Sequence, residues 1–287
     1  MDARAGLLGA LTLVTAAFAW RWYASLREDP SVRRPDGVEL GIGALTDFID
    51  TLGIGSFAPT TALLKLFKRA PDENIPGILN IGHTIPTFLE AVIFISIVEI
   101  EMKTLILMIA AAVIGAWFGA GIVAGWPRRK IQLGMAAALF AAAVFFFMKN
   151  VGLFPPGGEA LGLSGAKLGI AVVGNLVLGA LMTLGIGAYA PSMILVSVLG
   201  MSPITAFPIM MGSCAFLMPV ASLRFIKEKR YTPGAALGLT LGGAPAVLVA
   251  AFIVKSLPMT ALRWLVMLVV LYTAVMMLRS AKAERRD

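Results

Sequence analysis

Apolar positions in this chain come in long continuous blocks, not in short alternating runs. Blocks of roughly twenty residues, the length of a membrane-crossing helix, cover 6–26, 74–98, 103–125, 131–148, 204–225, 234–254 and 259–278. Two longer stretches, 38–69 and 166–200, are interrupted by glycines. The pattern predicts an all-α integral membrane protein. Continuous runs argue against a β-barrel, whose strands alternate over about ten residues.

The two interruptions share one phrase. Residues 51–59 read TLGIGSFAP and residues 183–191 read TLGIGAYAP, an offset of 132. Pro71 with Pro203 and Pro76 with Pro208 keep that offset, and Pro127 with Pro258 comes within one residue of it. We read two copies of one unit. The division is an N-terminal helix and loop (1–37), a first repeat (38–149), a linker (150–165) and a second repeat with a basic tail (166–287). Each repeat is a broken helical hairpin plus three transmembrane helices. Ala17-Phe18-Ala19 looks like a signal-peptide cleavage site, but the positive charge follows the first block instead of preceding it, so an uncleaved helix is expected.

Charge sets the orientation. If each broken element crosses once, the best split of basic residues between the faces is 13 to 8. If each enters and leaves on one side, the arrangement the positive-inside rule prefers, fifteen fall on one face. They are Arg27, Arg33, Arg34, Lys68, Arg69, Arg128, Arg129, Lys130, Lys227, Lys229, Arg230, Arg279, Lys282, Arg285 and Arg286. Six fall on the other: Arg4, Lys103, Lys149, Lys167, Lys255 and Arg263. The positive-inside rule then makes the first face, with the C-terminus, cytoplasmic. An element that does not cross plus three spans is an odd number, so the second repeat is expected to be inverted, with the two tips meeting near the bilayer midplane.

Composition narrows the classes. Of 287 residues, 59% are hydrophobic and 14% charged, against about 25% charged in a soluble domain. The net charge of +8 belongs to loops between spans, so nucleic acid is not an expected partner. One cysteine (Cys214) and one histidine (His83) leave no disulfide and no histidine-rich or CxxC metal centre, and no phosphate-binding GxxxxGK[ST] loop occurs. No cofactor, metal or catalytic residue is expected. The fifteen methionines read as packing. A homodimer is one assembly open to the chain.

The candidate chemistry lies at the breaks. Gly53, Gly55, Gly185 and Gly187 permit turns that other residues cannot make. Pro59 and Pro191 suit the first turn of a new helix. A helix N-terminus aimed at the protein centre is an anion site, with Ser56, Thr60, Thr61, Tyr189 and Ser192 adding hydroxyls. The bland alternative is small-residue packing between helices. Asn80, His83, Thr87 and Glu90 share one helix face. His83 and Glu90 are candidates for proton coupling, with Asn80 as a further substrate contact, while a structural histidine is the alternative. Asp47 and Asp50 read as caps or tethers of the hairpin near the cytoplasmic face, since a substrate anion would be repelled by them.

Two halves with GxG breaks followed by a proline resemble the TauE/SafE (TSUP, sulfite exporter) family of anion permeases, over about residues 38–278. The family's usual GIGGG stands here as Gly53-Ile54-Gly55-Ser56-Phe57 and Gly185-Ile186-Gly187-Ala188-Tyr189. The resemblance implies a permease for a small sulfur-containing anion such as sulfite, thiosulfate or a sulfonate, in a bacterial inner membrane. A membrane-embedded enzyme using His83 and Glu90, or a non-transporting assembly subunit, are the rival classes.

Overall fold

A computed structural model describes residues 3–28, 32–185, 187–253 and 259–284. Ile186, Lys255, Pro258, Arg285 and Arg286, invoked above, lie outside the described residues. The chain is all-helical, and no strand occurs among the described residues. In order come α1 (Ala3–Glu28), α2 (Gly37–Thr51), α3 (Phe57–Leu66), α4 (Ile75–Gly82), α5 (Thr84–Ile97), α6 (Met102–Ala124), α7 (Arg128–Asn150), α8 (Gly165–Met182), α9 (Tyr189–Val198), α10 (Ala206–Lys227), α11 (Pro233–Ile253) and α12 (Met259–Ala283). Short 3-10 turns, Asp72–Asn74 and Pro203–Thr205, precede α4 and α10. Among the described residues, seven helical stretches are long and apolar enough to cross a membrane, eight if the pair bent by 40° at His83 is one span. These are the helices of a multi-pass membrane protein.

Local sequence explains where the first hairpin starts and turns. Asp36 caps α2 through its side chain, accepting from the N–H groups of Val38 and Glu39, and Glu39 reaches back to the Asp36 N–H, a reciprocal capping box. The helix ends in a Schellman turn. Gly53, at φ +81°, donates to the Asp50 carbonyl (2.7 Å), and Ile54 donates to the Ile49 carbonyl (3.1 Å). Gly55, at φ +94°, continues the reversal into α3. The second hairpin turns at Gly185, φ +105°.

Each hairpin closes on itself. Arg69, just after α3, pairs with Asp36, just before α2, so both ends of the first hairpin lie together. Around them gather Asp72 with Lys65, Glu73 with Arg128, and the Arg129 side chain on the Ala281 carbonyl. The second hairpin ends elsewhere. Gly158 donates to the Met201 carbonyl (3.0 Å) and Ser202 to the Ala160 carbonyl (2.9 Å), and Glu101 donates to the Leu161 carbonyl (2.8 Å). That surface joins the 150–165 linker to the start of α6 and the end of α9. Since α7 runs from Arg128 at the first surface to Asn150 at the second, the two hairpins close at opposite ends of the helix bundle.

The hairpins are held by helices far away in sequence. The most extensive helix contacts are α2 with α11 and α8 with α6. Both use glycine to bring backbones together: Gly43 lies on Leu239 and Gly242 on the Leu40 carbonyl, while Gly115 lies on the Leu176 carbonyl and Gly179 on Ala112. Without a hydrophobic force between helices in lipid, such close approach supplies the packing energy.

Candidate functional site

The bend at His83 has a chemical cause. Pro86 has no N–H to give to the carbonyl four residues back, that of Gly82. Thr240 of α11 donates its hydroxyl there instead, at 2.6 Å. The bend puts the His83 ring between two hairpin residues. Nδ1 meets Asp47 Oδ1 at 2.6 Å and Nε2 meets Thr60 Oγ1 at 3.0 Å. All three side chains are fully buried. Seven residues on, two helical turns along the same face, Glu90 accepts from Thr51 Oγ1 at 2.8 Å. Asp50 accepts from Ser56 Oγ at 2.5 Å.

Asp47 therefore differs from its expected place. About eleven residues into α2, it lies roughly 16 Å along the helix from the capped end, at the hairpin tip and away from the basic face. Its second oxygen, Oδ2, has no hydrogen-bond partner and rests on Gly243 of α11, where a Cβ would collide with it. Glu90 Oε2 is also buried and unpartnered. Asp47, Asp50 and Glu90 lie close enough to act on one another's charge. Ionisable groups at membrane depth are costly and concentrate at functional sites.

Beside this cluster the two breaks share a cavity. Asp50, Gly55, Ser56, Phe57 and Thr87 line one side, and Met182, Gly187, Ala188, Tyr189, Met210, Met211 and Cys214 line the other. The first turns of α3 and α9 therefore border one space. It is open to the centre of a water-sized sphere over about 20 Å³, room for one water and too little for an oxyanion. A neighbouring apolar cavity of about 30 Å³ reaches α7 at Ala138, Ala142 and Phe146 and shares Gly55, Phe57, Gly187 and Tyr189. Tyr189 is a wall common to both. Its hydroxyl receives a hydrogen bond from Lys149 (3.1 Å), and its ring stands edge-on to Phe207 with centroids 5.4 Å apart.

The residues expected at the site divide into two groups. Gly55, Ser56, Gly187 and Tyr189 line the cavity, and Gly53 packs on Tyr189. His83 and Glu90 stand behind it in the hydrogen-bonded cluster. Pro59, Thr60, Pro191 and Ser192 are in the first turns of α3 and α9, and Thr61 follows directly, but none of them lines it. The helices begin at Phe57 and Tyr189, so each proline is the third helical residue, still in the turn where its missing N–H costs nothing. The buried hydroxyls of Thr61 and Ser192 have no partner. Asn80 turns back to the Pro76 carbonyl (2.8 Å) and joins no part of the cavity. Gly185 packs toward Leu79 and Met135.

Sequence reading missed Thr51, Met182, Lys149, Thr240 and Gly243. Met182 had a signal, since the 132-residue offset places it opposite Asp50. The others are brought in by helix packing, which the sequence does not spell out. No family model, curated protein or solved structure matches this chain.

Proposed function

We propose that the chain is a secondary transporter of the alternating-access type, a permease whose substrate occupies the space between the two hairpin tips. The observation that carries this is the shared cavity: equivalent glycines of the two breaks, Gly55 and Gly187, line one space bordered by two helix N-termini. The order hairpin, 3-10 turn, span, span, span occurs twice, and the two hairpins close at opposite ends of the bundle. Both facts support an inverted repeat, with the first helix of each hairpin clamped by the other half.

The resemblance to TauE/SafE permeases makes the cargo a small sulfur-containing anion. Two facing helix termini supply about one unit of positive potential without a basic side chain in the cavity wall. Asp50 faces the same cavity, and a carboxylate repels an anion in so small a space. A proton on Asp50 removes that repulsion. Loading of the anion is thus tied to loading of a proton, and the Asp47–His83–Thr60 chain and Glu90 form the reserve with which that proton is shared. The small cavity is the occluded form, and entry requires the tips to part.

The Asp–His–hydroxyl chain invites comparison with a hydrolase triad. A nucleophile must reach substrate, whereas Thr60 is fully buried and lines neither cavity. We read the chain as a proton store, and the protein as a carrier and not an enzyme. One observation favours a second cargo: three thioethers and a thiol opposite Asp50 make a wall suited to a soft monovalent cation.

The test is uptake into proteoliposomes of sulfite, thiosulfate and alkyl sulfonates, with and without an inward proton gradient, beside monovalent cations. Saturable oxyanion uptake that rises with the gradient is expected. Uptake of a cation alone, or of nothing, overturns the anion reading.

A further inference from the structure

On the surface where α10 ends and α11 begins, α1, α6 and α10 enclose a groove far from the hairpin tips. Its volume is about 560 Å³. Arg21 of α1 and Arg224 and Lys227 of α10 line it, with Glu28 at the end of α1. The basic residues on the same surface around the first hairpin are neutralised: Arg33 by Glu39, Lys65 by Asp72, Arg69 by Asp36 and Arg128 by Glu73. Among the described residues, no carboxylate stands within ion-pairing distance of Arg21, Arg224 or Lys227. Three cations converge on one hollow with one acid among them.

The walls say what kind of anion fits. The Arg224 guanidinium lies over the Trp117 ring, 5.9 Å from its centroid, and Gly121 of α6 leaves room beside it. Trp117 and Leu223 line the groove yet are 55% and 42% exposed, and Trp20, next to Arg21, is 72% exposed. An exposed tryptophan on a membrane-spanning helix marks the interface between headgroups and acyl chains. The groove is therefore charged within and opens sideways onto apolar surface. A free soluble anion has no use for that opening, whereas a lipid has a charged head and apolar tails.

We propose that this groove binds the phosphate headgroup of an anionic phospholipid, with its acyl chains lying along Trp117 and Leu223. The guanidiniums of Arg21 and Arg224 offer planar forks to the phosphate oxygens, and Lys227 adds charge at the rim. Basic hollows between membrane helices bind anionic headgroups for the same reasons.

The proposal is independent of what the hairpins carry, and its test does not involve transport. Purified full-length protein in detergent is titrated with phosphatidylglycerol, phosphatidylcholine or inorganic phosphate, with retained lipid read by native mass spectrometry and stability by thermal unfolding. Phosphatidylglycerol is expected to be retained and to raise the melting temperature, and phosphatidylcholine is not. Each guanidinium near the headgroup plane contributes about fivefold in affinity, so Arg21→Gln should weaken retention about fivefold and Arg21→Gln/Arg224→Gln about 25-fold. Lys130→Gln, on the same surface but outside the groove, should change nothing. Arg21 is exposed, so its single variant folds even if the double does not, and Arg224→Lys keeps the charge while losing the fork. Equal retention of both lipids, indifference to Arg21→Gln, or full stabilisation by millimolar inorganic phosphate would each overturn the proposal.

Discussion

A methyl group placed on Gly53 would sit 2.6 Å from the phenol oxygen of Tyr189. The two hairpins thus meet through the aromatic ring of one and the bare backbone of the other. Gly53→Ala carries two penalties, this collision and a φ of +81° that costs an L-residue about 1–2 kcal/mol. It should lower the melting temperature and, if the chain is the permease proposed above, abolish transport. Tyr189→Leu in the same chain should recover the steric part only. A Cβ on Gly187 meets open space among the described residues, so Gly187→Ala carries no steric collision and should cost less than Gly53→Ala. The sequence made the four break glycines look equivalent. They are not.

His83→Ala strands the Asp47 carboxylate and the Thr60 hydroxyl in the interior. Leaving a buried hydrogen-bonding group without its partner costs about 1–3 kcal/mol, and denaturant titration should show a loss of at least that order. Asp47→Ala/His83→Ala should cost less than His83→Ala alone. A double variant as unstable as the sum of the singles would mean that the pair is not coupled. Gly243→Ala should behave like His83→Ala, because its methyl displaces the same carboxylate.

Thr240→Val removes the donor to the Gly82 carbonyl and should cost about 1–3 kcal/mol. Pro86→Ala supplies a backbone N–H that can serve that carbonyl by straightening the helix. The pair Pro86→Ala/Thr240→Val should therefore be more stable than Thr240→Val alone, in the same unfolding experiment.

If Asp50 must carry a proton before the anion enters, uptake falls as pH rises on the loading side. Asp50→Asn keeps the hydrogen bond from Ser56 and cannot ionise. It should exchange anion for anion at all pH values between about 5 and 8, where carboxylate and histidine chemistry dominates, but should fail to accumulate anion against a gradient. A variant that still accumulates substrate and keeps the parent pH profile would remove Asp50 from the mechanism.

Glu159 and Ala283 are both exposed, one in the linker and one at the end of α12. With Cys214 replaced, cysteines introduced at these two positions should react with an impermeant reagent on intact cells at the linker only. Equal labelling would rule out the inverted arrangement.

Much of the architecture was legible because lipid imposes simple rules. Span length and glycine breaks survive any packing arrangement, so the helices begin, break and end close to where the pattern put them. The stripe Asn80, His83, Thr87, Glu90 was also visible, because helical periodicity alone puts those side chains on one face. Its partners were not. Asp47 meets His83 across 36 residues, and Thr51 meets Glu90 across 39. These pairings depend on how α2 crosses α5, which is set by glycines of α11 that carry no chemical signal. Asn80 shows the opposite failure: it fits the periodicity, yet its amide satisfies its own helix at the Pro76 carbonyl.

The clamping of α2 by α11 bears on how the protein is made. When the ribosome has delivered the first hairpin, the surface that will cover Glu39, Gly43 and Asp47 does not yet exist. It arrives only with residues 238 to 243, after most of the chain has been threaded into the bilayer. Until then His83 and Glu90 can already meet Asp47, Thr60 and Thr51, but the glycine-lined face of α2 has no cover. The final packing of the first hairpin is therefore completed only when the penultimate helix is in place, however early the hairpin itself enters the bilayer.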